Sequence, residues 1–306
     1  MGARVLSPWR LRLLVQLESL GTIRAVAEAL AMSPSSVSQQ LSVLQQEARA
    51  TLLEHHGRRV TLTPAGVRLA AHAREILRSI EVAEADLAER RTEPVGEVRV
   101  AAFSSAVRAF VLPTAAALRR SHPRLRITVT ELEPHDSLRE LRRGDVDLAV
   151  LYDFGDGSIP VDDQVRRVRL GGDPVVLVLP QGHPSASADT VELAAMAGER
   201  WVMDRPSCHL SDLVTRLCRQ AGFEPEIAGH YGSYPLLLDH VELGLAVAAL
   251  PALAVRGRDD VVVRDLVPTV TRTIFAALPA GPTPLSAVRV VLDELRARGR
   301  ALQGTR

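Results

Sequence analysis

Lysine and asparagine are absent from the 306 residues, so all 37 basic side chains are arginine. Both missing types use A-rich codons, and a GC-rich coding bias accounts for the loss. Its chemical consequence is that Schiff-base chemistry and phosphate loops that depend on a lysine are excluded. Aromatics are scarce at 3%, which leaves Leu, Val and Ala to fill the cores. Cys208 and Cys218 are too few for a disulfide scaffold and point to a reducing cytoplasm. Long apolar runs are missing too. The segment Leu243 to Val255 has 13 residues broken by Gly244 and Pro251, short of the ~20 needed to cross a bilayer. Met1 to Leu6 has neither a signal-peptide core nor a myristoylation pattern, so no membrane partner is expected. With 37 basic against 36 acidic residues, no global field advertises a nucleic-acid partner, and any such partner must be found in local patches.

Length suggests about two or three folding units of ~100–150 residues each. The first 63 residues read as three short helices and a small hairpin. Leu11, Leu14 and Val15 give the first helix a face, and Gly21 ends it. Thr22 caps a second helix with Ile23, Val26, Ala27 and Leu30 in helical register. Ser33 as N-cap and Pro34 as first helical residue start a third helix to about Glu47. Its Val37, Leu41, Leu44 and Ala48 line one side, while Ser35, Gln39, Ser42 and Gln46 line the other without a single charge.

Helix, turn, helix spacing of this kind serves DNA-binding modules, in which the last helix enters the major groove. Glutamine and serine suit base edges, and the candidate contacts are Ser33, Pro34, Ser35, Ser36, Ser38, Gln39, Ser42 and Gln46. Arg24 on the bracing helix is a further one. The pattern alone is equally that of a solvated face on an ordinary three-helix domain. The hairpin formed by Leu52 to Glu54 and Arg59 to Leu62 adds Arg58 and Arg59 at its tip, suited to phosphate. Residues 1–63 carry seven arginines against four carboxylates, so the small positive excess sits here.

Residues 11–66 resemble the winged helix-turn-helix of LysR-type transcriptional regulators. The resemblance is carried by Ala27-Glu28-Ala29-Leu30, by Ser33-Pro34-Ser35-Ser36-Val37-Ser38-Gln39-Gln40-Leu41 and by Leu62-Thr63-Pro64-Ala65-Gly66. The chain departs from the family's frequent residues at Gln39, Gln45, Arg49, Leu53 and His55. Thr63 and Pro64 begin a long helix to about Arg91, with a heptad seam of Leu69, Ala73, Ile76, Ile80, Ala83 and Leu87. Such a seam implies a partner helix, or packing on the chain's own globular part; the resemblance supports a dimerising linker.

From Gly96 strands and helices alternate. Glu97–Phe103, Leu125–Leu132 and Asp147–Tyr152 read as strands around helices at Ala106–Ser121 and Asp136–Arg143, a βαβαβ pattern and hence a parallel sheet. Val165–Leu170, Asp173–Pro180, Arg200–Met203, Glu226–Gly229, Leu245–Ala249, Val261–Arg264 and Thr271–Ala277 follow as strands. Helices are expected at Leu210–Ala221, Pro235–Glu242 and about Pro284–Arg298. Two open α/β lobes fit this better than one sheet. The region is similar to the family's effector domain, of periplasmic-binding-protein type 2, with chain crossings near Val168–Gly172 and Leu266–Arg272.

The implied division is a DNA-binding domain over 1–63, a linker over 64–93 and an effector domain over 94–306. Within the last, lobe I spans about 96–168 and 269–306, and lobe II about 169–268. The overall class is therefore α plus α/β. Ligands of open α/β sheets bind beyond the carboxyl ends of strands, which selects Ser104, Ser105, Pro134, Tyr152, Asp153, Ser207, Tyr231, Ser233 and Tyr234.

Cys208 and Cys218 lie in a region resembling the redox segment of peroxide-sensing family members, whose pair is closer by one residue. On one helix the sulfurs would be ~15 Å apart, beyond the ~7 Å limit for a bridge, so inert packing is expected. No G-x-S-x-G, H-E-x-x-H, P-loop or G-x-G-x-x-G pattern occurs, and the nine histidines are scattered. No enzyme, metal or cofactor is expected. The reading is a cytoplasmic regulator, a homodimer or dimer of dimers. It would bind a double-stranded operator and a small-molecule effector, with RNA polymerase as a further partner. The alternative is a solute-binding protein or enzyme with a non-DNA-binding helical N-terminus.

Overall fold

The computed structural model describes residues 6–56, 59–88, 94–157, 159, 162–206, 208–280 and 286–303; within them, the side chains of 55, 56, 59, 78, 81, 82 and 84–88 lie outside the description. Helices α1 (Pro8–Leu20), α2 (Ile23–Ala29) and α3 (Pro34–Ala48) begin where the capping residues dictate. Thr22 accepts the Ala25 amide at 3.1 Å. Ser33 accepts the Ser36 amide at 3.1 Å, with Pro34 opening the helix. Both satisfy donors that the first helical turn leaves orphaned. Strands β1 (Leu53–His56) and β2 (Arg59–Leu62) pair antiparallel, with His56 opposite Arg59. Leu11, Leu14, Leu17, Val26, Val37, Leu41 and Leu44 are buried together beneath them.

Helix α4 (Pro64–Ala88) leaves the hairpin through Thr63, whose hydroxyl accepts the Gly66 amide at 3.0 Å and donates to the Thr51 carbonyl at 2.7 Å. Gly66 passes so close to the hairpin that a Cβ there would sit 2.2 Å from the Leu52 carbonyl oxygen. The heptad seam is divided in this structure. Ala73 is fully buried in the N-terminal core and Leu69 packs against it, because α4 lies along α1 and that face is already covered. Ile76 is 40% exposed, Ile80 half-buried and Ala83 exposed, while the Leu87 side chain lies outside the described residues. Trp9, Leu20 and Val67 add exposed apolar surface on the α1 and α4 bundle that the heptad reading did not contain.

Lobe I begins with β3 (Gly96–Ala102), followed by a continuous helical run of α5 (Ser104–Ala106), a π-helical turn at Val107–Val111 and α6 (Leu112–Ser121). Then come β4 (Leu125–Glu131), α7 (Pro134–Arg143) and β5 (Leu148–Asp153). Strand β6 (Val165–Leu179) is a single element where two strands were expected. Its Gly171 and Gly172 keep the chain extended because β12 pairs along the first part while β10 and β11 pair along the rest. Lobe II contains β7 (Thr190–Glu192), β8 (Arg200–Asp204), α8 (His209–Gln220), β9 (Glu226–Tyr231), α9 (Tyr234–Glu242), β10 (Ala248–Pro251), α10 (Ala252–Val255) and β11 (Val262–Val267). Strand β12 (Thr271–Pro279) and helix α11 (Ser286–Gln303) return to lobe I.

The main sheet runs β4-β3-β5-β12-β6-β11-β7, with β10 on β6 and β8-β9 as a separate parallel pair. In lobe I alternate residues divide between the two faces. Val98, Val100, Leu148 and Val150 pack with Leu295 of α11, whereas Ala101, Ala149 and Leu151 pack with Leu138 and Leu141 of α7. The carboxyl ends of β3, β4 and β5 therefore face lobe II across the crossing strands.

Candidate functional site

Two regions gather the candidate residues. On α3, Val37, Leu41 and Leu44 anchor the helix in the core, which turns Ser35, Ser38, Gln39, Ser42 and Gln46 outward, all exposed. Ser33 is a structural cap: its hydroxyl holds the Ser36 amide and lies within 2.9 Å of the Ser35 and 2.8 Å of the Ser36 hydroxyl oxygens. Arg24 forms an exposed ion pair with Glu28 at 3.0 Å, an interaction weak enough to yield to phosphate. The Arg58 candidate falls outside the described residues; Arg59 opens β2, and its side chain is outside the description too.

The rest of α3 is occupied structurally. Gln45 Oε1 accepts the Leu52 amide at 2.8 Å and the Leu53 amide at 3.1 Å, which fixes the hairpin against the helix. Arg10 pairs with Glu47 and donates to Gln40 Oε1 at 3.2 Å. None of these roles has a sequence signature, because each partner lies in another element.

The second region is the cleft between the lobes. A cavity of about 50 Å³ is lined by Phe103, Ser104, Glu131, Glu133, Tyr152, Asp204, Arg205, Cys208, Gly232, Ser233 and Tyr234. Of the expected effector residues, Ser104, Tyr152, Ser233 and Tyr234 are brought together here. Pro134 is buried at the start of α7 and lines an adjoining cavity of about 110 Å³ with His135, Ile159 and His209. Three other expected residues are engaged outside the cavity lining. Ser105 lies under the floor, bonded to Arg272. Asp153 caps a turn by accepting the Gly155 amide at 2.8 Å. Tyr231 is outside the cavity lining, its hydroxyl engaged with His240 Nδ1 at 3.1 Å. Ser207 lies outside the described residues.

Arg272 builds the cleft floor. It is buried, pairs with Asp173 at 2.7 Å and donates to the Ser105 hydroxyl at 2.7 Å. Its guanidinium stacks over the Phe103 and Tyr152 rings at 4.7 and 4.8 Å. Above it the Tyr152 hydroxyl donates to Glu133 Oε2 at 3.3 Å. Burial, then the charge of Asp204, pushes the Glu133 carboxyl above the usual range. At the rim the Arg205 guanidinium lies against Gly232, where a Cβ would come within 2.5 Å of its Nε.

The ends of strands mark the cleft loops in the sequence, but nothing local marks Glu131, Asp173, Asp204 or Arg272. Their importance comes from convergence of β4, β6, β8 and β12, which no local pattern records.

Cys208 precedes α8 as its N-cap and Cys218 lies buried near its other end. Burial, then Asp204 and Glu133, raises the Cys208 thiol pKa. Burial pushes Cys218 up to about 12. Neither environment favours the thiolate that reactive cysteines require. Among the described residues, no group of His, Cys, Asp and Glu could hold a metal ion, and no helix is long and apolar enough to cross a membrane.

Residues 9–67 match the bacterial regulatory helix-turn-helix protein model of the lysR family, and residues 91–300 match the LysR substrate binding domain. The chain is 28% identical over 293 residues to a hydrogen peroxide-inducible genes activator of Escherichia coli O157:H7, covering 94% of each. Full-length OxyR from Pseudomonas aeruginosa has a similar fold, with a TM-score of 0.77 at 20% identity over 95% of each chain. CbnR, solved in complex with its target DNA, aligns with a TM-score of 0.63 at 21% identity, over 95% of this chain and 99% of that one.

Proposed function

The chain belongs to the LysR family of bacterial transcriptional regulators, and from that premise we propose which residues carry each part of its work. Helix α3 reads operator bases with Ser35, Ser38, Gln39, Ser42 and Gln46, while Arg24, Arg58 and Arg59 contact phosphate. The observation that carries this reading is the exposed, uncharged Ser and Gln face of α3 above a fully buried Val37, Leu41 and Leu44. Ser and Gln offer hydrogen bonds to base edges without the sequence-independent attraction of a charge, so discrimination rests on geometry.

Residues 1–63 form the DNA-binding unit, 64–93 the linker and 94–306 the effector domain in this proposal. Self-association uses the part of α4 that remains uncovered, Ile76, Ile80 and Ala83, rather than Leu69 and Ala73. The effector occupies the cleft around Ser104, Glu133, Tyr152, Ser233 and Tyr234. Its binding shifts the lobes about β6 and β12, and α4 relays the change to the spacing of the DNA modules. The protein acts in the cytoplasm without a catalytic step, as regulators acting on DNA do.

The neighbour solved with target DNA and the relative named for peroxide induction frame the test. A gel shift of the full-length protein on the DNA upstream of its own gene is expected to show a retarded complex at low salt. No complex there, with the protein folded and oligomeric, overturns the proposal in favour of a solute-binding protein. Peroxide treatment is expected to leave the shift unchanged, because both thiols are held in their neutral form.

A further inference from the structure

A cavity of about 580 Å³ opens beside the hinge and shares no described lining residue with the interlobe cleft. Its floor is formed by the crossing strands, Gly171 to Pro174 of β6 and Thr271 of β12. Lobe I supplies Phe110 and the last turns of α11, while lobe II supplies Leu253, Val255 and Val263. The volume falls in the ~300–1,000 Å³ range of small-molecule sites.

Two backbone irregularities converge on this cavity. The π-helical turn at Val107–Val111 places Phe110 in the lobe I wall, and such turns inside helices recur at functional sites. Across the floor, β6 pairs with β12 in a register that shifts between Ile274 and Phe275, opposite Gly171 and Arg169, so Leu170 is the extra residue of a bulge. Bulges likewise recur beside sites, where they re-aim side chains. Gly299 lets α11 rest on the bulge, because a Cβ there would lie 2.1 Å from the Leu170 carbonyl oxygen.

The walls are apolar, and the charge is of one sign. Arg169 and Arg256 line the cavity, and neither side chain has an ion pair or hydrogen bond among the described residues. Elsewhere in the effector domain arginines find carboxylates: Arg99 pairs with Asp147 at 2.8 Å, Arg142 with Asp162 at 2.7 Å and Arg258 with Asp260 at 2.7 Å. The Arg169 guanidinium turns over the cavity floor, with Nη2 3.9 Å from where a Cβ on Gly172 would stand. The one carboxylate in the described lining, Asp173, is already paired with Arg272 at 2.7 Å and accepts the Leu253 amide at 3.0 Å. Arg108 adds a further guanidinium beside Arg256, donating to its carbonyl at 3.0 Å from lobe I across to lobe II.

We propose that this cavity is a second small-molecule site, separate from the interlobe cleft, that takes an amphipathic monocarboxylate. Its apolar chain or ring packs against Phe110, Leu253, Val255 and Leu302, and its carboxylate is held by the Arg169 and Arg256 guanidinium groups. A guanidinium suits a carboxylate because its planar fork presents paired N–H donors. The ligand touches both lobes, so it favours the lobe arrangement in which both walls reach it. Through Asp173 it also meets the ion pair beneath the cleft.

The test uses the full-length protein and a series of equal chain length: hexanoate, hexanol and hexylamine, with acetate as the bare anion. Thermal unfolding and calorimetric titration are read at neutral pH and up to about 10 mM ligand, where binding to the native state raises the melting temperature by mass action. Hexanoate is expected to raise it most, hexanol less, and acetate and hexylamine not at all. Arg169→Ala combined with Arg256→Ala should weaken hexanoate by at least about tenfold and leave hexanol unchanged. Leu302→Trp, which fills the cavity, should weaken both. Ser104→Trp, which fills the interlobe cleft, should leave hexanoate binding as in the parent protein. A cooperative unfolding transition confirms that each variant is folded.

Hexanoate binding undiminished in both the double arginine variant and Leu302→Trp, or lost in Ser104→Trp alone, would overturn the cavity as the site. Binding lost in Leu302→Trp but unchanged in the double arginine variant would overturn the carboxylate contacts. Equal shifts with hexanoate, hexanol and hexylamine, or no shift with hexanoate, would overturn the ligand class.

Discussion

Arg272 and Asp173 stand opposite each other where β12 and β6 cross between the lobes, with the guanidinium and carboxylate 2.7 Å apart and both buried. Each also reaches beyond the pair. Arg272 donates to Ser105 and stacks on Phe103 and Tyr152 of lobe I. Asp173 accepts the amide of Leu253, in the α10 helix of lobe II, at 3.0 Å. One ion pair thus ties the floor of the cleft to both lobes.

Removing one partner leaves the other buried and uncompensated. Asp173→Asn or Arg272→Met should destabilise the effector domain by about 3–5 kcal/mol, whereas exchanging both for apolar residues should recover much of the loss. Urea unfolding of the two single variants and the double variant measures this, and additive losses would refute coupling.

Base reading and backbone contact separate by salt. Gln39→Ala should relax discrimination at one base pair by about 1–3 kcal/mol with little change in salt dependence. Arg58→Ala and Arg59→Ala should weaken all DNA alike and reduce the salt slope by about one. Fluorescence anisotropy across operator variants and salt concentrations distinguishes the two outcomes; exchanged phenotypes would reverse the assignments.

Gln45 acts through the hairpin and does not itself need to touch DNA. Gln45→Ala releases the Leu52 and Leu53 amides and should cost about 1–3 kcal/mol of stability. DNA affinity should fall while the ranking of operator variants stays as in the parent protein. A changed ranking would make Gln45 a base contact.

Glu133 makes stability depend on pH with a definite sign. Burial and Asp204 hold the folded-state pKa of Glu133 above its unfolded value, so the folded state binds this proton more tightly. Its contribution favours folding at acid pH and turns against it as pH rises through the folded pKa. Glu133→Gln should therefore unfold at a higher temperature than the parent protein at neutral pH, with the difference shrinking as the solution is acidified below the ordinary Glu range. Asp204, Glu131, Tyr152 and Arg272 act on the same carboxyl, and calorimetry across pH in Asp204→Asn should show a smaller dependence.

Peroxide provides the third measurement on residues outside the DNA module. Because the Cys208 and Cys218 thiols are both held above their ordinary pKa, and a rise of ten positions along α8 separates them by ~15 Å, mild peroxide should form no bond between them. Mass spectrometry that detects a Cys208–Cys218 disulfide would contradict this.

Much of the architecture is written in local chemistry. Ser33-Pro34 and Thr63-Pro64 mark helix starts through capping and proline geometry, and the helical spacing of Val37, Leu41 and Leu44 sets which face of α3 is free. These signals depend only on neighbours within a turn or a strand. Other features depended on what each segment meets. The seam beginning at Leu69 has one period in sequence, yet α1 covers Ala73 and leaves Ile76 exposed. Gly171-Gly172 reads as a break, yet pairing partners on both sides carry β6 through it.

The cleft is the clearest division between the two sources. Composition and motif order by themselves determined a chain with no lysine that withholds arginine from the exposed face of α3 and belongs to one family of DNA-binding regulators. Only the tertiary structure decided that Glu131, Glu133 and Asp204 share a cavity while Arg272 is neutralised beneath them. Charge at a site is a sum over groups brought within a few ångströms, and residues as far apart in sequence as Glu131 and Asp204 acquire that proximity only through folding.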